Sequence, residues 1–367
     1  MLKRLYVNNF QCLQNFEFNI KDLHSVLLLG KNGTGKTTIF EVVEIFQKIG
    51  QGITSLQNFF PDVNFGNINL PMELEIDVEI RGERFNYRLI VEFPERFLAP
   101  KINKEELTVE GTPIFDRDGG QTSLNEKAHF VLDWHHIGLP LLSVSSNDHP
   151  INIFREWLRN IIILSPIPRH FYGLSKNEST TLLRDGENVI DWARWLLSLN
   201  PSLYVVIFDF LKNRMSDIAT FKFKEIGQHD RRLIFTFQDG SSIKELDFEQ
   251  FSDGEKVLFL AAAVMAAQKN NPYITCLWDE PDNFISLVEL NHFITEYRKA
   301  FEASSSQTQL IVTSHNSRVI NNFSNHNIFV VSRLSHLSPT RIKLLEDIHY
   351  DSQTVIDAYD NGELDNI

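Results

Sequence analysis

The run GKNGTGKT, residues 30–37, constrains this chain more than any other stretch. It fits the pattern GxxxxGK[ST] and lies between an apolar run, SVLLL at residues 25–29, and a helical pattern from Gly35 to about Ile49. A strand, a glycine-rich turn and a helix in that order make a phosphate-binding loop, the P-loop. The glycines let backbone N–H groups wrap the phosphates, the Lys36 ammonium reaches the β- and γ-phosphates, and the Thr37 hydroxyl ligates Mg2+. The candidate nucleotide-binding segment is therefore Gly30, Lys31, Asn32, Gly33, Thr34, Gly35, Lys36, Thr37 and Thr38, with ATP and Mg2+ as its ligands. A glycine-rich turn that binds nothing is the alternative, and the flanking strand and helix count against it.

Two further apolar strands end in chemistry. ITCLWDEP, residues 274–281, delivers adjacent carboxylates at the carboxyl end of a strand, where open parallel sheets bind ligands. Asp279 suits the Mg2+ shell, and Glu280 is placed to polarise an attacking water. LIVTSH, residues 310–315, ends the next strand in His315, which can donate a hydrogen bond to a γ-phosphate. Lys36, Glu280 and His315 are the candidate catalytic set, and Thr37 and Asp279 the candidate metal set. A fourth stretch, FSDGEKVLFLAAA at residues 251–263, has two readings. Ser252 and Glu255 have capping-box spacing before an apolar helix. The same helix start offers N–H groups and a positive dipole end to an anion.

Composition bounds the rest. The chain has 367 residues, 43% of them hydrophobic, enough for two domains or one with a large insertion. A net charge of −13 argues against a uniformly basic nucleic-acid coat, leaving only a local basic stripe. The 29 phenylalanines read as core filling rather than base stacking. Cys12 and Cys276 are far apart and outside any CxxC, so a disulfide framework and a zinc knuckle are not expected and a reducing cytoplasm fits. No apolar run approaches a membrane span or a secretory signal.

Met72 to Phe93 alternates as a hairpin around RGER, and a second hairpin is expected from FKFKEIG to RRLIFTFQDG. Residues 185–215 read as helices broken at Asn200-Pro201, and residues 124–136 as a helix. On that helix His129, Asp133 and His136 would share a face, as metal ligands or as a solvated polar face. Arg155, Arg159, Arg169, His170, Lys101, Lys104, Arg231 and Arg232 are candidates for a phosphate-binding groove or for a solvated surface. From Phe251 onward strands alternate with helices, the signal of a parallel α/β sheet.

P-loop, Ser-x-Gly-Glu helix start, Asp-Glu strand and His-terminated strand, in that order, resemble an ABC-type ATPase head. The resemblance implies an α/β P-loop NTPase with an antiparallel β-subdomain, a helical insertion and no long coiled coil. It also implies a head-to-tail homodimer in which Ser252, Gly254 and Glu255 of one chain close on the ATP held by the other. Residues 281–286 would be the loop crossing that interface. The opening LKRLYVNNFQCLQNFEF resembles the RecF, SMC and OLD branch, and LRDGEN at residues 183–188 resembles its AAA15/AAA21-like predicted ATPases. The Ser-x-Gly turn at residues 252–254 corresponds to the ABC family's signature motif and carries Asp253 where the transporter form has glycine. No glutamine occupies the expected Q-loop place, where SPIPR stands at residues 165–169. The expected domains are an ATPase lobe at 1–93, a mixed, helical insertion at 94–219, a second ATPase lobe at 220–335 and a tail at 336–367. The implied role is the sensor or engine of an anti-phage complex of the Septu or PARIS type, with a separate nuclease or toxin effector. The alternative is a RecF-like repair ATPase on duplex DNA. A transport subunit and a non-hydrolysing scaffold fit less well.

Overall fold

A computed structural model describes residues 1–59, 65–93, 99–125, 127–303 and 307–365. The chain divides into two compact units, Met1–Ile161 with Phe323–Ile367, and Ile162–Asn322.

The first unit is built largely on an antiparallel sheet. From one edge to the other its strands are Phe16–Asn19, Leu2–Asn8, Met72–Ile80, Glu83–Glu92, Lys101–Val109, Thr112–Asp118, Gln121–Leu124 and Ala128–Val131. Strict alternation sets the faces: Leu74, Ile76, Val78 and Ile80 are buried, while Glu73, Glu75, Asp77 and Glu79 are not. The outward acids meet cations across the strands, Glu73 with Arg88 and Glu75 and Asp77 with Arg4. Arg81 and Gly82, at φ 56 and 84, turn the Met72 hairpin with the two positive φ angles that match strand twist.

Beside this sheet the unit carries a parallel pair, Ser25–Leu29 with Ile328–Ser332, in register at Leu29 and Val330. Arg341–Leu344 adds antiparallel to the second of these. The helix Lys36–Gly50 follows the first strand and packs on the helix Pro150–Arg159. At their crossing a Cβ on Gly50 would stand 2.5 Å from the Arg159 nitrogen, so the backbones touch there.

Residues 124–136 are not the expected helix. The chain turns at Asn125, φ 50, pairs back as Ala128–Val131 and then enters a turn; Glu126, within that stretch, lies outside the described residues. A buried ion pair holds the following turn. Arg117 donates to the carbonyls of Asp133 and His136 and lies 3.3 Å from Glu105, both side chains being fully buried. Helix formation would take back those carbonyls. His129, Asp133 and His136 therefore share no helical face, and His136 Nδ1 instead lies 3.1 Å from the Thr54 hydroxyl.

The second unit has parallel strands Ile162–Leu164, Thr275–Asp279 and Gln309–Thr313, in the order of the sequence. The helix Asp253–Asn270 is apolar nearly all round and correspondingly buried. A four-stranded antiparallel sheet comprises Leu174–Ser175, Arg231–Asp239, Ile218–Glu225 and Ser242–Asp247. It packs Phe221 and Phe235 against Phe248, Phe251 and Phe259, so these phenylalanines fill core. The two helices expected around Asn200-Pro201 are Val189–Leu199 and Leu203–Lys212. Among the described residues no helix is long and apolar enough to cross a membrane.

Candidate functional site

In the first unit, residues 30–35 turn from the strand Ser25–Leu29 into the helix Lys36–Gly50. Two glycines are required here for different reasons. Gly35 caps the helix at φ 102, and a Cβ there would stand 2.6 Å from Thr340 Oγ1 and 3.0 Å from Cys12 Sγ. Gly30 leaves no room, since its Cβ would stand 2.3 Å from the Val331 carbonyl oxygen. Lys36, a residue only 6% exposed, curls its ammonium over the loop and donates to the carbonyls of Gly30 at 2.5 Å and Lys31 at 3.0 Å. The Thr34 hydroxyl closes the turn on the Lys31 carbonyl at 2.9 Å. Thr37 is exposed at the helix start, whereas Thr38 is buried and donates to Gln11 at 3.4 Å. A cavity of about 420 Å3 opens beside Lys31, Asn32, Gly33 and Thr34, lined also by Arg333 and His336. Lys31 itself forms an ion pair with Asp365.

In the second unit, the strand Thr275–Asp279 sits between its two parallel neighbours, and its chemistry gathers at the carboxyl ends. Thr313, fully buried, joins the groups with one hydroxyl. It donates to Asp279 Oδ1 at 2.6 Å and accepts from the Glu280 backbone N–H at 2.9 Å. That second bond steadies an uncommon backbone conformation, for Glu280 has φ 47, in the left-handed region that few side-chain-bearing residues adopt. Its carboxylate is aimed from both sides: Asn283 donates to Oε2 at 3.0 Å, and His315 Nδ1 lies 3.3 Å from Oε1. The Ser314 hydroxyl ties the His315 turn to Asp282 at 2.8 Å. Within the Asp279 strand, burial pushes the Cys276 thiol far up, so it is inert at neutral pH.

The stretch at residues 252–255 forms the full capping box. Ser252 Oγ accepts from the Glu255 N–H at 3.3 Å, and the Glu255 carboxylate accepts from the Ser252 N–H at 2.8 Å. Ser252 and Asp253 are exposed, and Gly254 approaches the 281–286 segment so closely that its Cβ would stand 2.8 Å from the Phe284 carbonyl.

The structure thus brings Asp279, Glu280 and His315 together in one unit and the nine P-loop residues together in the other. Two hydroxyls escaped notice in the sequence, Thr313 and Ser165. Both lie inside quoted motifs, but a hydroxyl at a strand end carries no signal until its neighbours are known. The basic residues considered for a groove are spread over both units and largely matched with acids: Lys101 with Glu92, Lys104 with Glu106, Arg231 with Glu225 and His170 with Asp185. Thr37 in the first unit and Asp279 in the second are each hard oxygen donors, of the kind Mg2+ takes alongside water and phosphate.

A family model described as "AAA domain, putative AbiEii toxin, Type IV TA system" matches residues 25–321. Among solved structures, the chain is similar to an SMC head bound to the C-winged helix domain of ScpA, with TM-score 0.57 and 14% identity, over 93% of this chain and 96% of that one. It is also similar to a Pyrococcus furiosus SMC head with an extended coiled coil, bound to the C-terminal domain of ScpA. There the TM-score is 0.53 and the identity 13%, over 94% and 97% of the two chains. At such identity the likeness is one of fold, the mixed α/β fold of SMC head ATPase domains. No curated protein matches the sequence.

Proposed function

The chain belongs to that AAA-domain family and is a P-loop NTPase, and from this premise we propose that it hydrolyses ATP with Mg2+ as a head-to-tail dimer. The observation that carries the reading is the Glu280 carboxylate at a strand end, held at φ 47 and aimed by Asn283 and His315 beside Asp279. A carboxylate held in that way serves as a base for water next to a metal-supporting acid. Bound Mg2+ would neutralise charge on the β- and γ-phosphates. Lys36 and the N–H groups of residues 30–38 hold the phosphates, and Thr37 and Asp279 hold the metal. Glu280 takes the proton of the attacking water, and His315 donates to the γ-phosphate. Ser252, Gly254 and Glu255 of the second chain complete the site: the Ser252 hydroxyl, which donates to the Glu255 carboxylate in the single chain, turns from it to the phosphate at the positive end of the helix.

Hydrolysis then opens the pair and turns nucleotide state into a change of shape. In the cell this serves a defence complex in which the dimer senses or drives and a separate toxin or nuclease acts. The family description, which names a putative toxin of a type IV toxin–antitoxin system, supports that setting. Phosphate release from Mg-ATP by the wild type, Glu280→Gln and Lys36→Ala tests the reading. Release by the wild type alone is expected. Equal release by Glu280→Gln, or none from any of them, overturns it.

A further inference from the structure

We propose that Ser165 is a positioning residue for the metal site: its hydroxyl fixes the Asp279 carboxylate in the orientation that receives Mg2+. The inference rests on the ATPase reading above and gives a role to a residue that the reading leaves without one. Leu164 pairs with Trp278 in the parallel ladder, so Ser165 and Asp279 leave the sheet side by side. The Asp279 carboxylate is then bracketed by hydroxyls from the strands on either side. Oδ1 accepts from Thr313 at 2.6 Å, and Oδ2 accepts from Ser165 at 3.2 Å.

The direction of the Ser165 bond follows from its other neighbour. Arg184 Nε lies 3.5 Å from Ser165 Oγ, and a guanidinium can only donate. Ser165 Oγ therefore accepts from Arg184 and turns its one proton to Asp279. The backbone keeps this arrangement in place, because the Ser165 N–H donates to the Arg184 carbonyl at 2.8 Å and the Ile167 N–H to that of Asp185 at 2.9 Å. The LRDGEN turn is thereby joined to the metal-supporting acid through one serine.

Two neutral hydroxyl donors leave the carboxylate its charge and a lone pair on each oxygen, while removing its freedom to rotate. Mg2+ demands near-ideal octahedral geometry and keeps several waters, so a carboxylate fixed in advance binds a metal-bound water at lower entropic cost. Partners of metal-supporting groups commonly set affinity in this way.

The test is calorimetric binding of a non-hydrolysable ATP analogue to the full chain, with Mg2+ and with EDTA, for the wild type, Ser165→Ala and Ser165→Thr. The quantity read is the gain in affinity that Mg2+ confers. Ser165→Ala is expected to lose about 10-fold of that gain, the scale of a lost partner to a metal-supporting group. Its metal-free affinity should stay at the wild-type value, and Ser165→Thr should restore the gain. An undiminished gain in Ser165→Ala overturns the inference. So does an equal loss with and without Mg2+, which would place the serine's role in nucleotide contact or folding, and so does a wild type that gains nothing from Mg2+. Hydrolysis is read apart from this: a wild type that releases no phosphate overturns the ATPase reading, while the Mg2+ gain still decides the part played by Ser165.

Discussion

His315 Nδ1 lies 3.3 Å from Glu280 Oε1, which couples the proposed base to the proposed γ-phosphate donor. If Nδ1 donates to Glu280, Nε2 can donate to phosphate only when the ring carries both protons. ATP binding must therefore either hold the imidazolium or part the pair so that Glu280 turns to water. Each residue acts through the other, so their losses should not add. Phosphate release should fall on the order of 10³-fold in Glu280→Gln and on the order of 10²-fold in His315→Ala. The double variant should match Glu280→Gln alone. Additive losses would show two independent roles.

Lys36→Ala removes the ammonium that lies across the Gly30 and Lys31 carbonyls. A charged hydrogen bond to phosphate contributes about 1.5–3 kcal/mol, or about 10- to 100-fold in affinity. Titration of ATP should show that loss in a chain that still unfolds cooperatively, with a lowered melting temperature because the buried Gly30 carbonyl loses its donor. Wild-type affinity would remove Lys36 from the phosphate site.

Gly35→Ala tests the turn rather than the chemistry. The φ of 102 and the 2.6 Å approach to Thr340 Oγ1 both oppose a methyl group. A destabilisation of about 1–3 kcal/mol is expected from urea unfolding, with nucleotide affinity falling as the loop shifts. An unchanged midpoint would mean that the loop relaxes freely.

Arg117→Met strips the buried Glu105 of its cationic partner, the two side chains being fully buried 3.3 Å apart. The cost should be about 3–5 kcal/mol near neutral pH, because a buried carboxylate is left uncompensated. Burial already raises the Glu105 pKa, against the pull of the Gly138 and Leu139 N–H groups and Arg117. Without Arg117 it rises further. A raised carboxyl pKa favours folding below the ordinary glutamate range, and that benefit is lost as pH rises through the folded value. The deficit of Arg117→Met should therefore shrink on acidification and grow toward neutrality, measured as urea midpoints across pH. A deficit independent of pH would assign it to lost packing instead.

The parts legible in the sequence were those where a local pattern and its chemistry coincide. Residues 30–37 announce their own geometry, and Glu280 and His315 stand where apolar strands end. The Ser252 capping box follows from two residues three apart. Hidden parts depended on pairing between distant segments. Alternation marked Met72 to Phe93 as a hairpin, but nothing local showed that Lys101–Val109 and the strands after it would extend the same sheet. The expected helix at 124–136 failed for that reason, with Arg117 claiming the carbonyls a helix would need. Ser165 and Thr313 became visible only when the ladder set each of them beside Asp279.

If ATP is hydrolysed inside a two-chain sandwich, Glu280→Gln should hold that sandwich closed, and its mass in solution decides the matter. Light scattering with saturating Mg-ATP should give twice the mass of one chain, falling to a single chain when ATP is withdrawn. A Glu280→Gln protein that binds ATP and remains a single chain would contradict the sandwich, and with it the role given to Ser252 and Gly254.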